Sequence, residues 1–243
     1  MALILRETRV TFGTAQLGYL WAIANPIFGT AILTLVFSFV SRVPPIGSSF
    51  VLFFATGVLP YELYRKLTNS LMSVFDANRG LLAYPLVKEP DVVIARFLLI
   101  FATYLLVFFV FFGMLILMDF APLPDNPGSL LAATFATAML GLGIGSTNAV
   151  IKGLWKTWPQ IEGIISRPMF FISGVFFIPT LFPPHIQYLL SWNPVMHSIE
   201  WFREAYFISY ESQLLDRRYL FMVTLSFLMI GFGGERLYRK KMT

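Results

Sequence analysis

The chain has 243 residues, of which 57% are hydrophobic and only 13% charged. Soluble domains carry about 25% charged residues, so a water-facing globule is excluded and lipid is the expected solvent. The absence of cysteine excludes disulfides, thiolate metal sites and cysteine nucleophiles. The net charge of +5 fits basic cytoplasmic loops better than nucleic-acid binding.

The opening stretch, MALILRETRVTFGTAQLGYLW, lacks the basic n-region, clean apolar core and small-residue cleavage site of a signal peptide. Leu3, Val10 and Leu17 share one helical stripe, which Arg6 interrupts. Segment 1–24 therefore reads as an interfacial helix, with Tyr19 and Trp21 at headgroup depth. The first apolar span covers about 22–41, with Pro26 near its start, and the second covers 50–71. The second is unusual in carrying Pro60, Glu62, Arg65 and Lys66. Segment 73–90, SVFDANRGLLAYPLVKEP, joins it to the third span. It reads either as a plain loop or as a short helix, ended before Pro85, that lies on the inner face and offers a docking knob. Spans three to five cover 92–118, 129–151 and 161–178, the fourth rich in small residues. In 181–212 the apolar pieces are too short to cross and are cut by Pro183, Pro184 and Pro194, so they read as re-entrant or interfacial helices. The sixth span covers 219–235.

Charge fixes an orientation. With both termini inside, the inner segments hold Arg6, Arg9, Arg79, Lys88, Arg96, Lys152, Lys156 and the basic tail, eleven of the 18 cations. The outer segments hold four: Arg42, Arg203, Arg217 and Arg218. This asymmetry predicts cytoplasmic termini. The charged string MHSIEWFREAY then lies outside. On a helix Val195, Ile199, Phe202 and Tyr206 share an apolar stripe, while His197, Glu200 and Glu204 share the opposite face. A metal site there lacks a second nearby histidine, since His185 lies beyond Pro194. The expectation is an amphipathic helix with its aromatic side in lipid and its charged side in water.

No G-x-x-x-x-G-K-[ST] loop, G-x-S-x-G elbow or H-E-x-x-H motif occurs. Ser146 of GLGIGS and His197 could form an intramembrane protease pair only without the polar companions such a site needs. Gly141, Gly143 and Gly145 instead let helices approach closely. Charge inside a span faces a bundle interior or a wet cavity. Arg65, Lys66 and Arg167 read either as a cationic lining for an anionic substrate or as interfacial anchors, the former pair with a Glu62–Lys66 link. Tyr61 and Tyr64 could stack against sugar faces beside them. Trp155 and Trp158 fit an aromatic belt.

Five strings in order and spacing carry a family resemblance: RVTFGTAQLGYLWAIANPIF, ATGVLPYELYRK, NRGLLAYPLVKEPDVVIAR, RPMFFISGVFFIPTLFPP and WNPVMHSIEWFREAYF. The chain resembles the permease subunit of polysaccharide-exporting ABC transporters, most closely the capsular exporters of Gram-negative bacteria, from about residue 6 onward. The resemblance implies an all-α membrane protein with the type-2 ABC exporter permease fold: six transmembrane helices, an N-terminal interfacial helix and outer re-entrant helices between spans five and six. It implies a homodimer in the inner membrane with two copies of a cytoplasmic ATPase subunit that binds ATP and Mg, while this chain binds no cofactor. Arg6, Arg9, Asn78, Arg79, Gly80, Tyr84 and Pro85 would couple to that ATPase. Trp192, Asn193, Pro194, His197, Glu200 and Arg203 would belong to the re-entrant segment facing a periplasmic co-polymerase and an outer-membrane export protein. The cargo would be a lipid-linked acidic glycan. Rival readings are an O-antigen or teichoic-acid permease, an intramembrane enzyme and an ion-driven carrier.

Overall fold

The computed structural model describes residues 17–40, 43–47, 49–83 and 87–242, without the side chains of 17–23, 26, 40 and 235–242. Arg6, Arg9, Arg42, Tyr84 and Pro85 lie outside the described residues, as does the indole of Trp21. The described residues form helices and no strands: α1 (Leu17–Val40), α2 (Phe50–Met72), α3 (Val74–Ala77), α4 (Arg79–Leu82), α5 (Glu89–Leu117), α6 (Pro127–Leu154), α7 (Trp158–Ile172), a 3-10 turn (Pro179–Leu181), α8 (Pro184–Leu190), α9 (Pro194–Tyr206) and α10 (Arg217–Met242).

Prolines and short polar side chains set the helix starts. A proline occupies the first or second position of α5, α6, α7, α8 and α9, where its fixed φ helps and its missing N–H costs nothing. Asn126 Oδ1 accepts from Ser129 N (2.9 Å) to cap α6, and Asn193 Oδ1 accepts from Val195 N (3.0 Å) to cap α9. α1 runs unbroken from Leu17, so the described backbone has no division near residue 24 between an interfacial helix and a span. α7 stops at Ile172, six residues short of the expected 178. Ser173 ends the helix and Gly174 adopts φ +79°, a turn that favours glycine.

α6 is the centre of the bundle, packed against α2, α9 and α10. Its glycines make this possible. A Cβ on Gly141 would stand 2.9 Å from Leu67 Cβ of α2, and one on Gly145 would stand 2.9 Å from Leu71 Cβ. On the other side Gly143 meets Phe227 and the α10 backbone, and α10 returns Gly231 against Ser146 and Thr147. Backbones approach where side chains are absent, as membrane helices without a hydrophobic drive between them require. The Thr147 hydroxyl donates across this seam to Phe227 O (2.9 Å). Outward from the seam, Phe108 and Phe112 of α5 meet Phe202 and Tyr206 of α9 at 5.1–5.8 Å between ring centroids.

The exterior is apolar. Leu117 is 87%, Phe39 83% and Phe109 79% exposed, surfaces that water would not tolerate in such number. α5 and α6 are each long and apolar enough to cross a membrane.

The seam yields a test. Gly231→Ala places a Cβ 2.6 Å from Ser146 Oγ and 3.0 Å from the Thr147 backbone, overpacking expected to cost about 1–3 kcal/mol. Gly113→Ala meets nothing within 4 Å and should be neutral or stabilise by up to about 1 kcal/mol through helix propensity. Thermal unfolding of the two variants in detergent checks the contrast.

Candidate functional site

The residues singled out by the sequence fall into three places, named by the orientation that the charge asymmetry predicts: an inner elbow, an interior polar patch and an outer charged core.

The inner elbow is α3 and α4. Asn78, fully buried, separates the two turns and donates from Nδ2 to Val74 O (3.0 Å). That local bond stops the helix from continuing and fixes the corner. Arg79 and Gly80 then stand exposed at the tip, with open space around Gly80. Val74 and Phe75 are buried and hold the elbow to the bundle. Two cations secure its root. Arg96 of α5 donates from Nη1 to Ser70 O (3.0 Å), and Lys152 of α6 reaches Ser73 Oγ (3.2 Å) and Asp76 Oδ2 (2.8 Å).

The interior patch departs from the expected channel lining at one residue. Tyr61 is 1% exposed, packs its ring 4.9 Å from that of Phe170 and donates its hydroxyl to Ser166 O (3.1 Å). A phenol enclosed in this way offers no face to a passing sugar in this conformation. Tyr64 is half-buried beside it, Lys66 is partly exposed, and Arg65 and Arg167 are exposed. The ion pair that forms is Glu62 with Arg65 (3.8 Å), at i,i+3, rather than Glu62 with Lys66. Any cationic character here is therefore offset in part by Glu62.

The outer core overturns the expected water-facing surface of the MHSIEWFREAY helix. Glu200 and Arg203 are both 0% exposed and His197 is 1% exposed, because protein covers that part of the polar side of α9 as well as its aromatic side, while Glu204 stays partly exposed and pairs with Arg217. The charges survive burial because each finds partners within the protein. Arg203 donates from Nη1 to Gly174 O (2.6 Å) and Phe177 O (3.1 Å), and from Nη2 to Val175 O (3.1 Å). Its guanidinium lies 3.4 Å from Glu200 Oε1 and 4.4 Å above the Phe53 ring. Glu200 Oε2 accepts from Ser212 Oγ (2.7 Å) and from the Tyr210 hydroxyl. The turn after α7 presents three carbonyls to one guanidinium, and α2 makes room with Gly57, where a Cβ would meet Arg203 Nη2 at 3.0 Å.

Neighbouring bonds extend this core. Asn193 Nδ2 donates to Ile172 O (3.2 Å) and Ser173 Oγ (3.1 Å), tying the start of α9 to the end of α7. His197 Nε2–H donates to Ser191 O (2.8 Å), while Nδ1 accepts from Asp216 N (3.1 Å) at the head of α10. This pattern requires the neutral imidazole, and burial pushes its pKa below the usual value. Pro194 opens α9, and Trp192 is exposed, with its carbonyl accepting from Tyr219. Ser146 is bonded within α6 and packed on Gly231, so it is not joined to His197. Among the described residues, no three of His, Asp and Glu converge as a metal-binding group.

Comparison with known proteins places this architecture. The family model described as ABC-2 type transporter matches residues 1–207. The chain belongs to the ABC-2 type transporter family. One relative of this ABC-2 chain is the polysialic acid transport protein KpsM of Escherichia coli, 32% identical over 99% of this chain and 92% of that protein. Another is the capsule polysaccharide export inner-membrane protein BexB of Haemophilus influenzae, 27% identical over 87% of this chain and 81% of that protein. The O-antigen export system permease protein RfbA of Klebsiella pneumoniae is 19% identical over 97% of this chain and 88% of that protein.

Sequence reasoning named Asn193, His197, Glu200 and Arg203 as neighbours along one segment and missed their partners in 174–177 and at Tyr210, Ser212 and Asp216. Carbonyl partners leave no side-chain signature. Lys152 and Asp76 were visible only as charges, with no periodicity to link positions so far apart.

Two outcomes follow from the outer core. Glu200→Gln leaves the Arg203 charge buried without its counter-ion and should cost about 3–5 kcal/mol, measured by thermal unfolding of the purified protein, whereas Ser212→Ala should cost about 1 kcal/mol. Stability should also depend on His197. The unfolded chain takes up the proton first, so this contribution is complete above about pH 6.5 and is lost as pH falls through the lower folded pKa. Unfolding midpoints across pH 5–8 should show this loss, and His197→Ala should flatten it.

Proposed function

We propose that this chain is the permease subunit of an inner-membrane ABC exporter that carries a lipid-linked acidic capsular polysaccharide. Two copies form the channel, and two copies of a separate ATPase subunit, which binds the ATP and Mg, drive it. The observation that carries this reading is the nearly full-length similarity to the polysialic acid and capsule export proteins. The chain has no phosphate-binding loop of its own, so the energy has to arrive from another subunit.

The reading includes six spans built on α1, α2, α5, α6, α7 and α10, with both termini cytoplasmic, as the charge asymmetry supports. α8 and α9 form the outer re-entrant segment, facing the periplasmic co-polymerase and the outer-membrane export protein. At 15 residues α7 is about 22 Å long, so the turn of 173–178 and these outer helices complete the crossing at its outer end. α7 also supports the homodimer, since none of its residues is buried against its own chain. Arg65, Lys66, Arg167 and Tyr64 would meet the acidic cargo on the inner side. The exposed tip of Arg79 and Gly80, with Tyr84, Pro85, Arg6 and Arg9, would receive the ATPase. An O-antigen exporter is a second reading, favoured only by the more distant similarity to RfbA.

The test is co-expression with a cognate ATPase subunit. The permease alone should hydrolyse no ATP, and the ATPase should co-purify with it. Arg79→Glu reverses the charge at the exposed tip and should reduce ATPase recovery or its stimulated hydrolysis at least about tenfold, a loss of 1.4 kcal/mol or more. Unchanged recovery, hydrolysis and export in that variant would refute the docking assignment.

A further inference from the structure

One helix joins the elbow to the outer core. α6 is 28 residues long, which makes about 42 Å of continuous rod. At its inner end Lys152 Nζ lies 2.8 Å from Asp76 Oδ2 and 3.2 Å from Ser73 Oγ. At its outer end the backbone N–H groups of Asp125 and Asn126 donate to Tyr206 O (3.2 Å) and Ala205 O (3.0 Å), the last turn of α9. Trp201 Nε1 of α9 donates to Ser129 Oγ (3.0 Å), and the Tyr206 hydroxyl donates to Pro122 O (2.9 Å). From α9, Arg203 holds the carbonyls of the turn that follows α7.

We propose that Lys152 is a positioning residue of the transport stroke: it passes displacement of the 73–82 elbow to α6, and α6 carries that displacement to the outer helices. The proposal rests on reading the elbow as the ATPase-docking element. The other ties of the elbow do different work. Arg96 holds Ser70, at the end of α2, and Asn78 bonds within the elbow. Val74 is packed by apolar contact, which resists separation without fixing direction. The Lys152 ammonium grips both the start of α3 and its acidic side chain, so it transmits push and pull alike.

The environment of the pair suits a switchable link. Asp76 is 62% exposed, and water and salt weaken an ion pair so placed. A partner seated over the elbow would exclude that water and strengthen the attraction. The link is therefore firm when an ATPase is docked and slack when none is.

The test uses the complete transporter, permease with its co-expressed ATPase, in cells and in proteoliposomes. In Lys152→Ala the ATPase should co-purify in normal amount and hydrolyse ATP, while surface polysaccharide falls about tenfold, within the usual range of a coupling change. Lys152→Arg, and the exchange Asp76→Lys with Lys152→Asp, should restore export. A second readout follows from the absence of native cysteine. A single thiol at exposed position 209, Ser209→Cys, should change its labelling from outside on ATP addition, and should lose that change when Lys152→Ala is added. Normal export in Lys152→Ala overturns the proposal. So does loss of ATPase binding in step with export, since Lys152 would then shape the docking surface. If Lys152→Ala fails to accumulate, the charge exchange decides: an accumulated exchange variant that binds ATPase and does not export overturns the proposal. A wild-type permease that recruits no ATPase strikes the proposed function instead.

Discussion

A charge placed where neither water nor headgroups reach must be neutralised and hydrogen-bonded by the protein itself, and the outer half of this molecule is organised around that requirement. Arg203 and Glu200 are wholly enclosed. Meeting their demands draws in the turn after α7, the Phe53 ring of α2 and the 210–212 segment that leads into α10. α2, the turn after α7, α9 and the segment that follows α9 therefore share one corner. Apolar packing could assemble the same helices, but it would not specify the course of 174–177, where three backbone carbonyls point at a single guanidinium.

Much of the helical organisation was legible because lipid imposes long apolar runs and because prolines mark helix starts. The six long runs overlap α1, α2, α5, α6, α7 and α10 without matching their ends, and the glycines of GLGIGS lie in the close seam that small residues at such spacing indicate. The errors share a cause. An amphipathic pattern tells which residues share a face and not what lies opposite it. His197, Glu200 and Glu204 read as a wet face, whereas protein encloses the first two and only Glu204 keeps partial exposure. Likewise Tyr61 beside Arg65 read as lining, yet its hydroxyl has a partner on α7. The shortened α7 turned on Gly174, one glycine within a run apolar enough to read as continuous helix. The link between Lys152 and Asp76 joins residues 76 positions apart, which no local pattern encodes.

The two ends of the molecule have contrasting chemistry. Outside, ionic partners are buried and their geometry is over-determined. Inside, the principal ion pair is partly exposed and the tip beyond it is open. That arrangement leaves one end of the described bundle open to adjustment and holds the other in a single geometry. The central rod lies close against α2 and α10 along its glycines, where Leu67, Leu71 and Phe227 and the neighbouring backbones come within reach.

The outer core also bears on biogenesis. Glu200 and Arg203 are three residues apart on one helix, so they can neutralise each other as soon as that helix winds, before any long-range contact exists. Tyr210 and Ser212 come later in the chain, and Asp216, which His197 requires, later still. During synthesis the segment stays half-satisfied until the chain reaches α10, whose arrival completes the set of partners.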